Sequence, residues 1–379
     1  MITHKIPRWA GAAVLLALGI VALVLFAVAW LSSNHIRSDL LVPVADERPY
    51  DVEILRTPPA RLVIAGTDRP PRGGIWGFES GATYTQLTAL LNRTDTETEW
   101  AATPYVGEPA VGVNGRVDVD AFPIDPNVAF GLGFEEVRAP GELGPLPAWL
   151  IDGRRSTWVI IAHGKGTDRR SQALRMIPSL VEAGYPVLVI NYRNDEGAPT
   201  DPSGLRSWGL TEWRDLDAAV RLADREGARN YFLVGHDLGA EVVSMFLHES
   251  DRVGNVLGVV FDSPVLDLEG SMDYDSGPVA RFVGELGQQL ARIRFGMEWS
   301  ELDQVARADQ FDVPILALHG ARDEETPIEI TEAFAAARPD LVRFLRFEQG
   351  GHGDLWNVDS ARYESEVMSF IDGLADVES

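Results

Sequence analysis

Three side chains in this 379-residue chain stand where nucleophilic chemistry could be done. Asp237 sits in Gly235-His236-Asp237-Leu238-Gly239, between the apolar run 231–234 and the segment 238–248, whose Leu238, Val242, Val243, Phe246 and Leu247 recur at helical spacing. That is a strand, a tight turn and a helix. Glycine on both flanks removes a Cβ that would collide with the neighbouring strand or helix around a strained turn. The residue at the turn heads a helix, where partial positive charge favours an anion. Asp323 lies in His319-Gly320-Ala321-Arg322-Asp323, after the apolar run 313–319. His352 lies in Gly350-Gly351-His352-Gly353, after the run 342–347. Imidazole exchanges a proton near neutral pH, so His352 is the candidate base, and Asp323 would orient it and stabilise its charged form. Asp262 and Asp267 are the fallback acids, because Glu324 and Glu325 crowd Asp323. His163 and His236 are expected to be structural.

A carboxylate at the turn selects a chemistry. It needs no base to become nucleophilic. Attack on an ester or amide would give a reactive anhydride. It suits displacement at an sp3 carbon, opening an epoxide or expelling halide to leave an alkyl-enzyme ester, which water activated by His352 would then hydrolyse. Backbone N–H groups of Leu238 and Lys165 are the expected oxyanion donors for that second step. Ser263 or Ser244 taking over as nucleophile would instead make an esterase or peptidase; Ser244 lies two turns down the helix and is too deep.

The elements that must position these residues alternate strand and helix from about residue 129. Strands are expected at 157–162, 187–191, 231–235, 256–261, 313–319 and 342–347, after a hairpin of 134–138 and 146–151. Helices are expected at 173–183, 211–225 with Thr211 as N-cap, 328–337 and 360–374. Val/Ile/Leu-rich strands between helices imply a mostly parallel, doubly wound sheet covered on both faces. Residues 266–311 break the alternation with two helical patterns, 279–293 and 300–308, and read as a lid over the strand ends.

Residues 9–31 are apolar and uncharged, long enough to cross a bilayer, with Trp9 and Trp30 near the ends. Lys5 and Arg8 precede the run, while Arg37 and Asp39 cancel after it, so the N-terminus is expected in the cytoplasm and the rest outside. Ala27-Val28-Ala29 resembles a signal-peptide cleavage site, but the run exceeds a usual signal core, and we expect an uncleaved anchor. Residues 34–128 read as a small β-rich region, with strands at 52–55, 61–65, 74–78 and 83–91 punctuated by Pro58-Pro59 and Pro70-Pro71. Asn92-Arg93-Thr94 is a glycosylation sequon of a kind common by chance.

The order carboxylate, acid, histidine, with the Gly-x-Asp-x-Gly turn and the His-Gly-x-x-Asp-x-x-x-Pro loop ending at Pro327, resembles the α/β-hydrolase superfamily over residues 134–374. The resemblance points to the serine-type branch near prolyl oligopeptidases and S33 aminopeptidases, and residues 192–197 and 262–267 are similar to its membrane-anchored bacterial members. It implies a hydrolase with the nucleophile–acid–histidine triad Asp237, Asp323 and His352. Gly-His-Asp-x-Gly is also the motif of epoxide hydrolases and haloalkane dehalogenases. This chain departs from both. Leu238 replaces the halide-binding Trp, His163-Gly164-Lys165-Gly166 lacks the proline of their oxyanion loop, and Tyr274 is the one tyrosine available in the insertion to polarise an epoxide. A fold retained without catalysis, serving binding or scaffolding, is the competing reading.

A net charge of −24 argues against nucleic acid or anionic lipid as a partner, since both need a basic patch. The chain has no cysteine, hence no thiolate nucleophile and no Cys-ligated metal. The seven histidines form no His-x-x-x-His pair, and Asp273-Tyr274-Asp275-Ser276-Gly277 lacks the glutamate of a calcium loop. Gly131-Leu132-Gly133 lacks the third glycine of a dinucleotide loop. No cofactor or metal is therefore expected, and the partners are a small-molecule substrate and, through the N-terminal helix, a membrane. The sequence leaves the oligomeric state open.

Overall fold

The computed structural model describes residues 8–44, 49–66, 73–166, 169–274 and 276–375. Lys5, Pro70, Pro71 and Asp275, used in the sequence arguments, lie outside these. The apolar run forms helix α1 (Arg8–Ile36), which continues without a break into a π-helical turn, Arg37–Leu41. Its side chains from Val14 to Phe26 are largely exposed, whereas Leu41 is buried in the main core.

Six strands follow: β1 (Val52–Arg56), β2 (Arg61–Ala65), β3 (Trp76–Ser80), β4 (Thr83–Arg93), β5 (Glu97–Val106) and β6 (Asn114–Asp118). They close into a barrel in the order β1-β2-β5-β4-β3-β6. Alternate residues point inward, among them Val52, Ile54, Leu62, Ile64, Phe78 and Trp100. Closure pairs every edge and so leaves no strand free to recruit another chain. The last two strands were not legible from pattern: β5 interleaves Glu and Thr with its apolar residues, and β6 holds a single aliphatic residue, Val117.

A short helix α2 (Pro126–Phe130), capped by Asp125, leads into the main domain. Its sheet comprises β7 (Glu135–Pro140), β8 (Pro145–Ile151), β9 (Thr157–Ala162), β10 (Val187–Ile190), β11 (Asn230–His236), β12 (Val256–Asp262), β13 (Ile315–Gly320) and β14 (Val342–Phe347). The order is β14-β13-β12-β11-β9-β10-β8-β7. The strands from β9 onward pair in parallel, while β8 runs antiparallel to both β7 and β10. Residues of one strand alternate between two cores, because side chains point to opposite faces. Leu233 and Phe261 pack with helices α4 (Trp213–Arg225) and α5 (Leu238–Glu249), whereas Phe232 and Val234 pack with α3 (Ile177–Ala183) and α10 (Ser360–Ala375). The main domain thus contributes two apolar layers around one sheet, each fully buried aliphatic side chain worth roughly 1.5–3 kcal/mol.

Two expected helices differ. The predicted 173–183 helix is a 3-10 segment, Arg169–Arg175, followed by α3, because Pro178 suits only the first turn of an α-helix. The pattern at 300–308 forms two 3-10 turns, Trp299–Glu301 and Ala308–Gln310. Between them the Gln304 N–H is drawn to Leu266 O at 2.7 Å, and Asp267 bridges Asp303, which pulls the chain out of helical register. Thr211 is not an N-cap: α4 starts after Glu212, and the Thr211 hydroxyl pairs instead with Ser207 Oγ at 2.6 Å.

The 266–311 insertion carries α6 (Leu268–Asp273) and α7 (Pro278–Phe295). Small side chains let α7 lie closely against the end of α1: Ala29 and Ser33 on one helix, Gly287 and Ala291 on the other, are all buried. A Cβ on Gly287 would overlap Ser32 Oγ. The Arg294 guanidinium stacks over the Trp30 ring at 3.8 Å and donates to Ser33 Oγ at 3.0 Å.

Candidate active site

Asp237, at the turn between β11 and α5, has φ 48° and ψ −114°. A non-glycine residue there stores roughly 1–3 kcal/mol, so the surroundings must hold it. Its N–H donates to Asp262 O at 3.0 Å, and its carbonyl accepts from Ala240 N at 3.1 Å. A Cβ on Gly235 would lie 2.6 Å from Ala240 N, and one on Gly239 would overlap Ala162 O. Both glycines are therefore there for close approach.

The other candidates arrive from the ends of neighbouring strands. Lys165 follows β9, Asp323 follows β13 and His352 follows β14. Asp237 Oδ2 accepts the Lys165 N–H at 2.8 Å, and the Leu238 N–H also bears on the Asp237 carboxyl. Asp237 Oδ1 lies 3.6 Å from His352 Nε2. His352 Nδ1 lies 2.9 Å from Asp323 Oδ2. The imidazole is thus strung between two carboxylates. Burial disfavours its charge, but hydrogen bonds and attraction from Asp237 and Asp323 outweigh this and raise its pKa well above the ordinary histidine value. Burial pushes the Asp237 carboxyl up, and His352 together with the Lys165 and Leu238 N–H groups pulls it below its usual range. These shifts favour a charged imidazole between two carboxylates.

Asp323 is fixed more firmly than its flanking glutamates suggested. Its Oδ1 accepts the Glu325 and Thr326 N–H groups at 2.9 and 2.8 Å. Its Oδ2 also lies 3.1 Å from His319 Nε2. These donors hold the carboxyl well below the usual range despite burial. His319 faces Asp323 and Thr326 O through Nε2, and Thr331 Oγ1 through Nδ1, so its proton sits on Nε2. This second histidine on the acid was missed in the sequence, where His319 reads as the end of a strand.

The remaining polar candidates are engaged elsewhere. Asp262 pairs with His236 Nδ1 at 3.1 Å and accepts from Tyr363 at 2.8 Å and from Ser263 Oγ at 2.9 Å. Burial opposes its ionisation, but His236, Arg175 and Tyr363 bring its pKa down to about 2. Asp267 caps α6 through Gly270 N. Ser244 donates back to Ala240 O within α5. Ser263 Oγ accepts the Gly353 N–H at 3.1 Å, bracing the histidine loop. His163 pairs with Asp195 at 2.9 Å and stacks on Tyr192, while Gln172 accepts the Gly164 N–H at 2.7 Å. These contacts set the loop that presents Lys165 N. Tyr274 is exposed and does not line the cavity, so a tyrosine from the insertion does not reach the site.

Asp237 and His352 open onto a cavity of about 770 Å³. Leu40, Trp208, Val265, Leu268 and Met272 form apolar wall, and Arg322, Glu324, Glu325 and Asp354 add charge. Trp76 and Val119 bring the barrel region into the same wall. Asn357 ties barrel to site loop, donating to Ile75 O and Val119 O at 2.7 Å while accepting from Arg175 at 3.1 Å. Neither connection was legible in the sequence, which assigned the β-rich region no role.

No protein-family model matches the chain. The uncharacterized protein YqkD of Bacillus subtilis is 22% identical over 228 residues, 58% of this chain and 72% of its own. An esterase of Pyrococcus furiosus superposes with a TM-score of 0.53 at 22% identity, over 66% of this chain and 95% of its own. The chain has the α/β-hydrolase fold. A puromycin-hydrolyzing peptidase of Mycobacterium tuberculosis superposes on the chain with a TM-score of 0.51 at 17% identity, over 81% of this chain and 45% of its own. An acylaminoacyl peptidase of Pyrococcus horikoshii does so with a TM-score of 0.51 at 14% identity, over 87% of this chain and 57% of its own.

Proposed function

We propose that this α/β-hydrolase is a hydrolase anchored in the cell membrane by α1, with its main domain outside the cytoplasm, in which Asp237 is the nucleophile and attacks an epoxide or similar sp3 electrophile. The observation that carries the reading is the seat of Asp237 Oδ2 on the Lys165 N–H at 2.8 Å. An ester carbonyl would need that donor, and the enzyme's own carboxylate occupies it. Acyl transfer to a substrate carbonyl is therefore disfavoured, while Oδ1, facing His352 at 3.6 Å, is the oxygen left to displace at carbon.

The steps balance. Asp237 Oδ1 bonds the epoxide carbon, the C–O bond breaks, and the alkoxide takes the Nε2 proton of His352. The ester now on Asp237 is neutral, so His352 has lost one of its two anionic partners and can accept a proton. It takes one from water, and hydroxide adds to Asp237 Cγ. The negative charge that develops falls on Oδ2, already held by the Lys165 N–H, with the Leu238 N–H bearing on the same carboxyl. Collapse expels the diol with a proton returned from His352. The Asp237 carboxyl then gives its proton to His352 and restores the array.

The experiment is an incubation with epoxides, haloalkanes and p-nitrophenyl esters, followed by intact mass of the wild type and His352→Ala. An adduct on Asp237 that persists in His352→Ala and turns over in the wild type is the expected result. Turnover of esters alone, retained in Asp237→Ala, would falsify the reading. The same closed array favours a second reading, a binding protein that retained the fold: no adduct and no turnover on the whole panel is its signature.

A further inference from the structure

We infer that α7 is a second membrane contact, lying in the lipid interface beside α1, and that it holds the Asp237 cavity at the bilayer surface to receive an electrophile dissolved in lipid. The inference rests on the reading of α1 as a membrane anchor.

The geometry begins at the end of the apolar run. α7 packs on α1 at Ala29, Ser32 and Ser33, where the uncharged stretch gives way to polar residues and lipid headgroups would begin. Arg294 stacks on Trp30 at this level, a cation and an amphipathic ring of the kind that settles at the interface. The face of α7 turned from α1 carries Val279, Phe282 and Ile293, exposed by 78, 48 and 81%. Apolar side chains so exposed on a helix that packs against a lipid-facing one are suited to the same lipid. Charge agrees. The chain has a net charge of −24, yet α7 holds three arginines and one glutamate. Arg292 pairs with Glu298 and Arg294 is engaged by Trp30 and Ser33, so the exposed Arg281 is the cation of α7 suited to anionic headgroups.

The cavity is near. α1 runs unbroken into the π-helical turn, and Leu40 of that turn lines the cavity. At a rise of about 1.5 Å per residue, Leu40 stands roughly 14 Å beyond the last residue of the apolar run. Ser271 and Met272, just before α7, line the same cavity. An interfacial α7 therefore places the wall of the site in the headgroup layer, within reach of a long-chain epoxide whose tail stays in the bilayer.

The native chain has no cysteine, so single labels are clean. Spin labels at Val21→Cys, Phe282→Cys, Ile293→Cys and Glu226→Cys would be placed on the full chain in phosphatidylcholine–phosphatidylglycerol liposomes. Accessibility to oxygen and to a water-soluble nickel chelate would be compared. The inference expects lipid-like ratios at 21, 282 and 293 and a water-like ratio at 226, which ends α4 just before β11, at the end of the strands opposite the site. A lipid-like label at 21 with water-like labels at 282 and 293 overturns the inference and leaves the anchor standing. A water-like label at 21 overturns both. Delivery is read from Phe282→Asp/Ile293→Asp. Its kcat/KM should fall tenfold or more on an octadecyl-chain epoxide in the bilayer and stay unchanged on soluble styrene oxide. Equal loss on both, or on neither, overturns delivery from lipid.

Discussion

Asp237 Oδ2 and the Lys165 backbone N–H are 2.8 Å apart, so the carboxylate at the nucleophile position fills a donor that a substrate oxygen would otherwise use. The other oxygen faces His352. On the proposed reading, a carboxylate at this tight turn decides which atom carries negative charge through the reaction.

Asp237→Ser should reverse both effects. The shorter side chain leaves the Lys165 and Leu238 N–H groups free, and His352, with only Asp323 opposite, returns toward an ordinary base. We expect hydrolysis of short p-nitrophenyl esters about 100-fold above the parent chain, the usual scale of general-base assistance, with an acyl adduct by intact mass. Ester turnover no faster than the parent's would mean that the geometry around the turn cannot serve a hydroxyl nucleophile.

The Asp237–His352 pair should stabilise the fold within a bounded pH window. The Asp237 pKa is lowered in the fold, so its contribution is present above the unfolded value of about 3.9 and is lost as pH falls through the folded one. The His352 pKa is raised, so its contribution is complete below about 6.5 and is lost as pH rises through the folded value. The Tm gap between the parent and Asp237→Asn should be widest at about pH 4–6.5 and narrow on both sides. A gap independent of pH from 3 to 10 would show that the pair carries no net charge coupling.

Glu241, one turn into α5, is fully buried; Gln304 donates to its Oε2 at 2.9 Å, and Oε1 has no partner among the described residues. Burial raises its pKa well above the usual carboxylate value. A raised carboxyl favours the protonated fold, so stability declines as pH climbs above the unfolded value of about 4.3. Glu241→Gln should therefore raise Tm at pH 8 and leave it unchanged at pH 4. Denaturation of both proteins across that range checks the sign; destabilisation at pH 8 would mean that Glu241 is ionised and paired in the fold.

Gly239→Ala should be among the most damaging single-methyl changes. Its Cβ would overlap the backbone oxygen of Ala162, which cannot move without breaking the pairing of β9 with β11. We expect a loss of about 3 kcal/mol, the upper range for overpacking a core, read as a shift in the urea midpoint. Gly254→Ala, where a Cβ meets nothing within 4 Å, is the matched control and should be nearly silent.

Periodicity carried the fold. The apolar run at 157–162 coincides with β9, because a parallel strand buried on both faces leaves a near-continuous apolar signature, and 342–347, where two arginines interrupt the apolar residues, coincides with the edge strand β14. Gly235 and Gly239 marked the turn because close backbone approach tolerates no Cβ there. The same reasoning placed Asp237, Asp323 and His352 at strand ends, and in the fold they stand side by side. What no local pattern could hold was contact between distant segments. The sequence assigned no partner to His319, gave Trp76 no link to a cavity more than 150 residues away, and left open what the insertion packs on. The docking of α7 against α1 depends on small residues whose meaning appears only when two helices meet. A chain's own periodicity encodes which faces must be buried; which buried face meets which is decided by the packing of the whole.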